Sequence, residues 1–114
     1  MEKTLYDAKK QGKRSRDKGK RRELELVHIL NDNGFNVRRG YVFQHEPDIV
    51  GLNGFHIEVK GVENLNVRKG LQQSIEDSQK RQDGIPLLAW KKSNEPWTIT
   101  LLLDDFIQIM RRLE

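Results

Sequence analysis

The sequence predicts an α/β fold in which helices flank a mixed five-stranded sheet, in the order α-β-β-β-α-β-β-α. Three observations support this prediction. Segments with helical spacing of apolar residues alternate with short runs rich in β-branched and aromatic residues. An Asn53-Gly54 pair separates two such runs, and Asn-Gly is a strong hairpin signal. The 114 residues suffice for one modest core, and the absence of cysteine excludes a disulfide framework and a thiolate metal site.

The first 22 residues are strongly basic, with ten Lys or Arg against three Asp or Glu, whereas the rest of the chain is net negative. We predict that residues 1–16 form a basic, flexible arm that binds DNA phosphates; a solvated tail without function is the alternative. Residues 17–114 would then form a single domain. Its first helix is predicted over residues 17–33, with Ser15 or Asp17 as the N-cap and Gly34 as the C-terminal stop.

The remaining elements follow from apolar patterning and turn residues. Asp83-Gly84 is expected to end the second helix, and Asp104 to cap the third. The predicted strands are Phe35–Arg39, Ile49–Leu52, Phe55–Lys60, Ile85–Trp90 and Trp97–Leu103, and the later helices are Leu71–Arg81 and the segment from Phe106 to Leu113.

The register of the central hairpin decides which charged residues meet. A two-residue loop at Asn53-Gly54 would pair Asp48 with Val59 and turn it away from Glu58. A three-residue loop with a left-handed Gly54 pairs Asp48 with Glu58 and Ile49 with Ile57. We favour the second register because it keeps all the charges on one face, where Lys60 also lies by strand alternation.

Two carboxylates side by side repel one another unless a positive charge lies between them. A divalent cation with Asp48 and Glu58 as ligands is the usual solution, with Lys60 close enough to act on a bound water or phosphate. Charged residues in an otherwise apolar hairpin therefore indicate a metal site.

These residues carry a family resemblance. Pro47-Asp48 followed by Glu58-Val59-Lys60 resembles the PD-(D/E)xK nuclease superfamily. Four further motifs are similar to those of the archaeal Holliday-junction resolvases and their phage relatives. They are Lys18-Gly19, E-x-E-L-V from Glu23, a Gly-Phe pair at position 34 and a later Gly-Ile-Pro at 84–86. The hairpin here is shorter, and the catalytic serine of the archaeal enzymes is absent from residues 40–46.

The resemblance implies a restriction-endonuclease-like core and assigns roles to individual residues. The implied ligands of Mg²⁺, or of Mn²⁺ as a substitute, are Glu23, Asp48, Glu58 and the carbonyl of Val59. Lys60 would act on water or phosphate, and Gln73 matches a glutamine that phage members carry on the helix after the E-x-K strand. The expected DNA contacts are Lys13, Arg14, Arg16, Lys18, Lys20, Arg38, Arg39, Arg68 and Lys69.

The resulting hypothesis is a Mg²⁺-dependent DNA endonuclease of phage or prophage origin, resembling Holliday-junction resolvases and acting as a homodimer on branched DNA. Two alternatives remain open: an inactive DNA-binding or assembly protein with the same fold, and a nuclease for simple duplex DNA. Because no apolar run approaches a membrane span, we expect a cytoplasmic protein of a bacterial or phage-infected cell and no membrane partner.

Overall fold

A computed structural model describes residues 5–61 and 63–114. The predicted element order is confirmed, with one additional 3₁₀ turn at Val42–Gln44. The elements are α1 (Leu5–Asp32), β1 (Arg38–Arg39), β2 (Ile49–Val50), β3 (Phe55–Lys60), α2 (Val67–Arg81), β4 (Ile85–Trp90), β5 (Thr98–Thr100) and α3 (Leu103–Leu113).

The five strands form one mixed sheet in the order β1-β2-β3-β4-β5. The pairs β1–β2, β2–β3 and β4–β5 are antiparallel, whereas β3 and β4 are parallel. The parallel pair requires a crossover, and α2 provides it. The predicted α/β fold class is therefore confirmed.

The hairpin of β2 and β3 has the three-residue-loop register. Ile49 pairs with Ile57, so Asp48 lies opposite Glu58. Gly54 has a φ of 89°, a conformation that side chains other than glycine rarely adopt, and the amide of Phe55 donates to the carbonyl of Leu52 over 3.1 Å. The turn thus places both carboxylates at one point in the sheet.

Helices cover both faces of the sheet. On one face, α1 contributes Leu26 to a core of strand residues: Val37, Ile49, Ile57, Val59, Ile85, Leu87 and Ala89. On the other face, α2 packs closely because Gly70 lies against Leu88, and the buried Ser74 hydroxyl donates to the carbonyl of Leu87 over 2.9 Å. Glu58 and His56 lie on this second face, alternating with the core residues of β3.

The first helix is longer than predicted. It begins at Leu5 and passes through Ser15 and Asp17, so the expected N-cap at these positions was wrong. Lysine, arginine and alanine favour helices, and this local preference continues the helix through the basic segment. Residues 1–4 of the predicted arm lie outside the described residues. The predicted stop at Gly34 is confirmed by its φ of 93°.

The start of α2 also differs from prediction. It begins at Val67, four residues before the predicted start, because the Asn66 side chain accepts a hydrogen bond from the amide of Lys69. It ends at Arg81, as predicted, but its C-cap is the left-handed Gln82 rather than the expected Asp83-Gly84.

Three strands and α3 show smaller differences. β1, β2 and β5 are shorter than predicted, and of these only β1 and β5 are edge strands. Leu102, rather than Asp104, occupies the N-cap of α3, and Asp104 lies in the first turn, where a carboxylate suits the helix dipole. None of the described helices combines the length and the apolar content that a membrane crossing requires.

Candidate active site

The hairpin register brings Asp48 and Glu58 together. Glu58 is 8% exposed, and Oδ2 of the half-buried Asp48 accepts a hydrogen bond of 2.8 Å from the backbone amide of Val59. Burial and the neighbouring Glu58 carboxylate raise the pKa of Asp48 to about 7. Because the two carboxyl groups resist being ionised together, the site favours a cation.

Glu23 approaches Asp48 from α1. Burial and the Asp48 carboxylate raise the pKa of Glu23, and the opposing effect of Arg39 does not cancel them. The Nε atom of Arg39 lies 2.8 Å from Oε2 of Glu23. A third carboxylate therefore adjoins the hairpin pair, and it is already held by an arginine.

A cleft of about 500 Å³ opens over this part of the sheet. Asp48 and Glu58 line it together with Asp77 of α2, which sequence reasoning did not single out. The remaining lining residues are His56 at its floor and Val42, His45, Glu46, Lys80 and Arg81. The cleft thus places acidic groups among several basic ones.

Lys60 and Gln73 occupy different positions relative to the carboxylates. Lys60 lies two residues beyond Glu58 on the same face of β3, and its charge partly opposes the raised pKa of Asp48. Gln73 is exposed on α2, one helical turn before Asp77, and does not line the cleft. The structure therefore brings Glu23, Asp48, Glu58 and Lys60 together and leaves Gln73 at the margin.

His56 is a buried residue of this site that sequence reasoning did not single out. It is 0% exposed; its Nε2 lies 2.8 Å from Oε1 of Glu58, and its Nδ1 lies 2.8 and 2.9 Å from the two carboxylate oxygens of Asp83. Burial lowers the pKa of His56, but the hydrogen bonds to Glu58 and Asp83 outweigh it and the pKa is raised. The alternation of His56, Glu58 and Lys60 on one face was the available signal.

One group of three potential ligands is closely gathered among the described residues. Ligand atoms of His56, Glu58 and Asp77 lie within 4.8 Å of one another. Both ring nitrogens of His56 already face carboxylates, so its ring is engaged in hydrogen bonds. The predicted set of Glu23, Asp48 and Glu58 does not meet this distance limit among the described residues, and Glu23 is hydrogen-bonded to Arg39.

Comparison with known proteins supports the resemblance seen in the motifs. The family model of the archaeal Holliday junction resolvase (Hjc) matches residues 14–110. The chain belongs to this family. Membership in this family confirms the predicted PD-(D/E)xK superfamily. Because resolvases are nucleases, it also implies that the chain is a nuclease.

A solved structure agrees with this assignment. The 1.6 Å structure of Archaeoglobus fulgidus Hjc, a Holliday junction resolvase from an archaeal hyperthermophile, matches with a TM-score of 0.56 and 27% sequence identity. The match covers 74% of this chain and 72% of that one. No curated protein matches significantly.

The basic residues expected to contact DNA fall into two groups in this resolvase-family chain. Three of them already contact acidic residues: Arg38 with Glu46 at 2.9 Å, Arg39 with Glu23 at 2.8 Å and Lys18 with Glu63 at 3.8 Å. The others are exposed on α1 or at the start of α2: Lys13, Arg14, Arg16, Lys20, Arg68 and Lys69.

Proposed function

We propose that this chain is a divalent-metal-dependent endonuclease that hydrolyses phosphodiester bonds in branched DNA. The observation that carries the proposal is the pairing of Asp48 with Glu58 in a buried hairpin beside a cleft. Membership in a family of Holliday-junction resolvases supports branched DNA as the substrate.

The donor atoms fit Mg²⁺, with Mn²⁺ as a substitute. Mg²⁺ prefers hard oxygen ligands, and the site offers the carboxylates of Asp48 and Glu58 with the neighbouring carbonyl of Val59. Glu23 is the further ligand proposed from α1, and it would have to share its carboxylate with Arg39. When bound, a divalent cation supplies charge stabilisation for the phosphoryl group and acidifies water.

Lys60 and Gln73 would act on the substrate. The Lys60 amine lies on the Glu58 side of β3, where it can stabilise negative charge as it develops on the phosphate oxygens. Gln73, one turn from Asp77, can orient water or phosphate by hydrogen bonds from its amide. A glutamine at this place is typical of phage relatives, which supports a phage or prophage origin and a place in the cytoplasm of the host.

The long helix supports a continuous DNA-binding surface. Lys9, Lys13, Arg16 and Lys20 are exposed and follow one another at spacings of four, three and four residues, and Glu23 follows three residues later. This spacing keeps all of them on one side of a helix. We call the four basic residues the basic stripe. It would hold a DNA backbone on the side of α1 that leads to Glu23, with residues 1–16 acting as the arm.

The apolar face of α3 supports a homodimer. Five of its large apolar residues are 38% to 75% exposed: Leu103, Phe106, Ile107, Met110 and Leu113. A second copy of the chain is the proposed occupant, since cutting two symmetric strands of a junction requires two sites. Met110→Glu should yield monomers in light scattering, whereas Gln108→Glu on the same helix should not; a wild-type monomer at micromolar concentration would contradict the proposal.

One assay tests the function directly. The protein is incubated with four-way, flap, linear-duplex and single-stranded DNA of matched sequence, in Mg²⁺ or in EDTA. We expect cleavage of the four-way junction in Mg²⁺ and none in EDTA. Equal cleavage of linear duplex would favour a nuclease for simple duplex DNA, and binding without cleavage under any divalent metal would favour an inactive binding protein.

A further inference from the structure

The turn between β1 and β2 exposes apolar side chains beside the cleft. Val42 is 82% exposed and Phe43 is 77% exposed, more than any other large apolar residue among those described. Tyr41 is 46% exposed, and its ring stacks on Phe43 with centroids 5.5 Å apart. We call Tyr41, Val42 and Phe43 the apolar turn. Apolar groups gathered at a protruding tip indicate a contact surface.

Hydrogen bonds hold the apolar turn in one conformation. The amide of His45, a residue with a left-handed φ of 53°, donates to the carbonyl of Val42 over 3.0 Å. Oε1 of Glu46 accepts from the amide of Tyr41 over 2.9 Å, and Arg38 donates to both oxygens of Glu46 over 3.0 and 2.9 Å. The Arg38 guanidinium also lies 4.2 Å from the ring centre of Tyr41. The side chains of the apolar turn are therefore held on a backbone that hydrogen bonds keep in one conformation.

The base of the apolar turn lies beside the hairpin of β2 and β3, which carries the proposed metal ligands. The amide of Gly40 donates to the carbonyl of Asp48 over 2.9 Å, and a Cβ atom on Gly40 would meet the carbonyl oxygen of Pro47 at 1.8 Å. Only glycine allows this approach of the two backbones. Val42 itself lines the cleft with Asp48. The exposed tip and the proposed metal carboxylates thus belong to one surface.

A chain of polar contacts also joins the turn to Glu58. Arg81 donates from Nη1 to the carbonyl of His45 over 2.9 Å and from Nε to Asp83 over 3.2 Å. Asp83 contacts His56, and His56 contacts Glu58. The position of the turn is fixed relative to the site by side chains of α2 and β3 as well as by its own backbone.

The surroundings favour DNA as the partner of this apolar turn. Lys80 and Arg81 line the adjoining cleft beside its carboxylates, and such cations attract phosphates. Flat aromatic and branched apolar side chains can stack on bases or wedge between them, at the cost of unstacking the base pairs. That cost is lowest where stacking is already interrupted, as at the centre of a branched DNA.

We propose that the apolar turn inserts between bases at the branch point and so gives the site its preference for branched DNA. The inference rests on the proposed nuclease function and identifies the residues that select its substrate. We assign the selection of branched DNA to the side chains of Val42 and Phe43. These side chains are uncharged and form no hydrogen bonds with the proposed metal ligands.

The test compares wild type with the double variant Val42→Ala/Phe43→Ala. Binding is measured in Ca²⁺ with a four-way junction that carries 2-aminopurine next to the branch point, and with a linear duplex of the same sequence. We expect the wild type to raise the 2-aminopurine fluorescence. The double variant should abolish this rise and bind the junction at least ~10-fold more weakly, with duplex affinity changed by less than ~2-fold.

Two controls accompany this measurement. Phe35→Ala removes another exposed aromatic residue, 49% exposed and outside the cleft lining, and should behave as wild type. The variant Val42→Ala/Phe43→Trp keeps alanine at position 42 but has an aromatic stacking surface at position 43. It should recover the fluorescence rise. Circular dichroism of each variant checks that these exposed positions tolerate substitution without loss of the fold.

The outcomes separate this inference from the function on which it rests. Wild type that neither binds nor cleaves any DNA would overturn the proposed function itself. Wild type that prefers the junction, together with a double variant that keeps both the preference and the fluorescence rise, would overturn only the role of the turn. An equal decrease of junction and duplex affinity would also overturn it, because the turn would then be a general DNA contact.

Discussion

The imidazole of His56 lies against the carboxylate of Glu58, with Nε2 and Oε1 2.8 Å apart, and both side chains are buried on the same face of β3. Asp83 holds the other ring nitrogen, so the ring has little freedom to turn. The structure therefore fixes the orientation of Glu58 through a fully buried residue. We expect His56 to be a positioning residue for a metal ligand.

His56→Gln should raise the Mg²⁺ concentration needed for half-maximal single-turnover cleavage by ~10-fold or more, within the usual range for groups that orient metal ligands. The measurement is a Mg²⁺ titration well below the melting temperature of the variant. His28→Gln, at an exposed position of α1, is the matched control. A lowered melting temperature with an unchanged Mg²⁺ requirement would show that His56 is merely structural.

Asp48→Asn and Glu58→Gln should fold and no longer cleave DNA. Each substitution preserves size and hydrogen-bonding capacity but removes a charge that a divalent cation requires. Cleavage of the four-way junction should fall by at least ~100-fold, the scale of removing an electrostatic contact to the reaction. Glu76→Gln, at an exposed position of α2 outside the cleft lining, should retain activity. Near-wild-type cleavage by either site variant would refute the assignment of these carboxylates.

Without divalent metal, the free energy of unfolding should fall as the pH rises from about 5 to 8. Folding raises the pKa of Asp48 from 3.8 to about 7, so the folded chain retains a proton that the unfolded chain has released in this window. The raised pKa of His56 acts in the same direction, since its stabilising charge disappears as the pH rises. Asp48→Asn should therefore be more stable than wild type at pH 8.

Urea unfolding in EDTA across this pH range measures the effect. The slope of stability against pH should be shallower in Asp48→Asn, because the amide has no proton to release. Added Mg²⁺ should flatten the wild-type slope, because a cation binds the deprotonated carboxylates. A wild-type protein that becomes more stable between pH 5 and 8 without metal would contradict the raised pKa of Asp48.

Lys60→Ala distinguishes a group that acts in the reaction from one that only binds phosphate. We expect single-turnover cleavage at saturating enzyme to fall by at least ~100-fold. Affinity for the junction in Ca²⁺ should change by less than ~10-fold, because a contact made in the transition state contributes little to ground-state binding. Lys92→Ala, on the loop after β4, is the control. Weaker binding with an unchanged cleavage rate would make Lys60 a phosphate anchor.

Neutralising three of the four residues of the basic stripe should reduce the salt dependence of DNA binding. In Lys9→Gln/Lys13→Gln/Arg16→Gln, the slope of log K against log salt should shrink by ~0.9 for every DNA phosphate that the variant no longer neutralises. The control removes three charges from the adjacent side of α1 with Lys10→Gln/Arg14→Gln/Arg21→Gln and should change the slope less. Equal slopes for both triple variants would show that the position of the charges on the helix is immaterial.

The hairpin could be predicted from the sequence because two independent constraints agree there. The turn chemistry of Gly54 and the alternation of apolar residues select one register, and that register places Asp48 opposite Glu58. Local patterns cannot predict contacts that depend on how α2 packs. His56 meets Asp83 across 27 positions of sequence, and Asp77 lies at the cleft on α2, whose close packing at Gly70 and Leu88 no local pattern predicts.

The start of α1 was missed for a different reason. The density of lysine and arginine before residue 17 indicates a solvated arm, yet the same residues favour helix, and the structure continues the helix through them. Charge therefore predicts where the segment lies relative to solvent, but not its backbone conformation.

One consequence follows from the 28 residues of unbroken helix in α1, which span about 42 Å. The basic stripe and Glu23 share a single rod, so the angle between them is set by the number of residues that separate them. Adding one residue after Arg16 would turn the outer cations by about 100° around the axis, whereas adding seven would return them to nearly the same side, about 10 Å farther out. The length of α1 therefore sets both the distance and the rotation between the basic stripe and Glu23, and insertions preserve the rotation only when they add close to a whole number of turns.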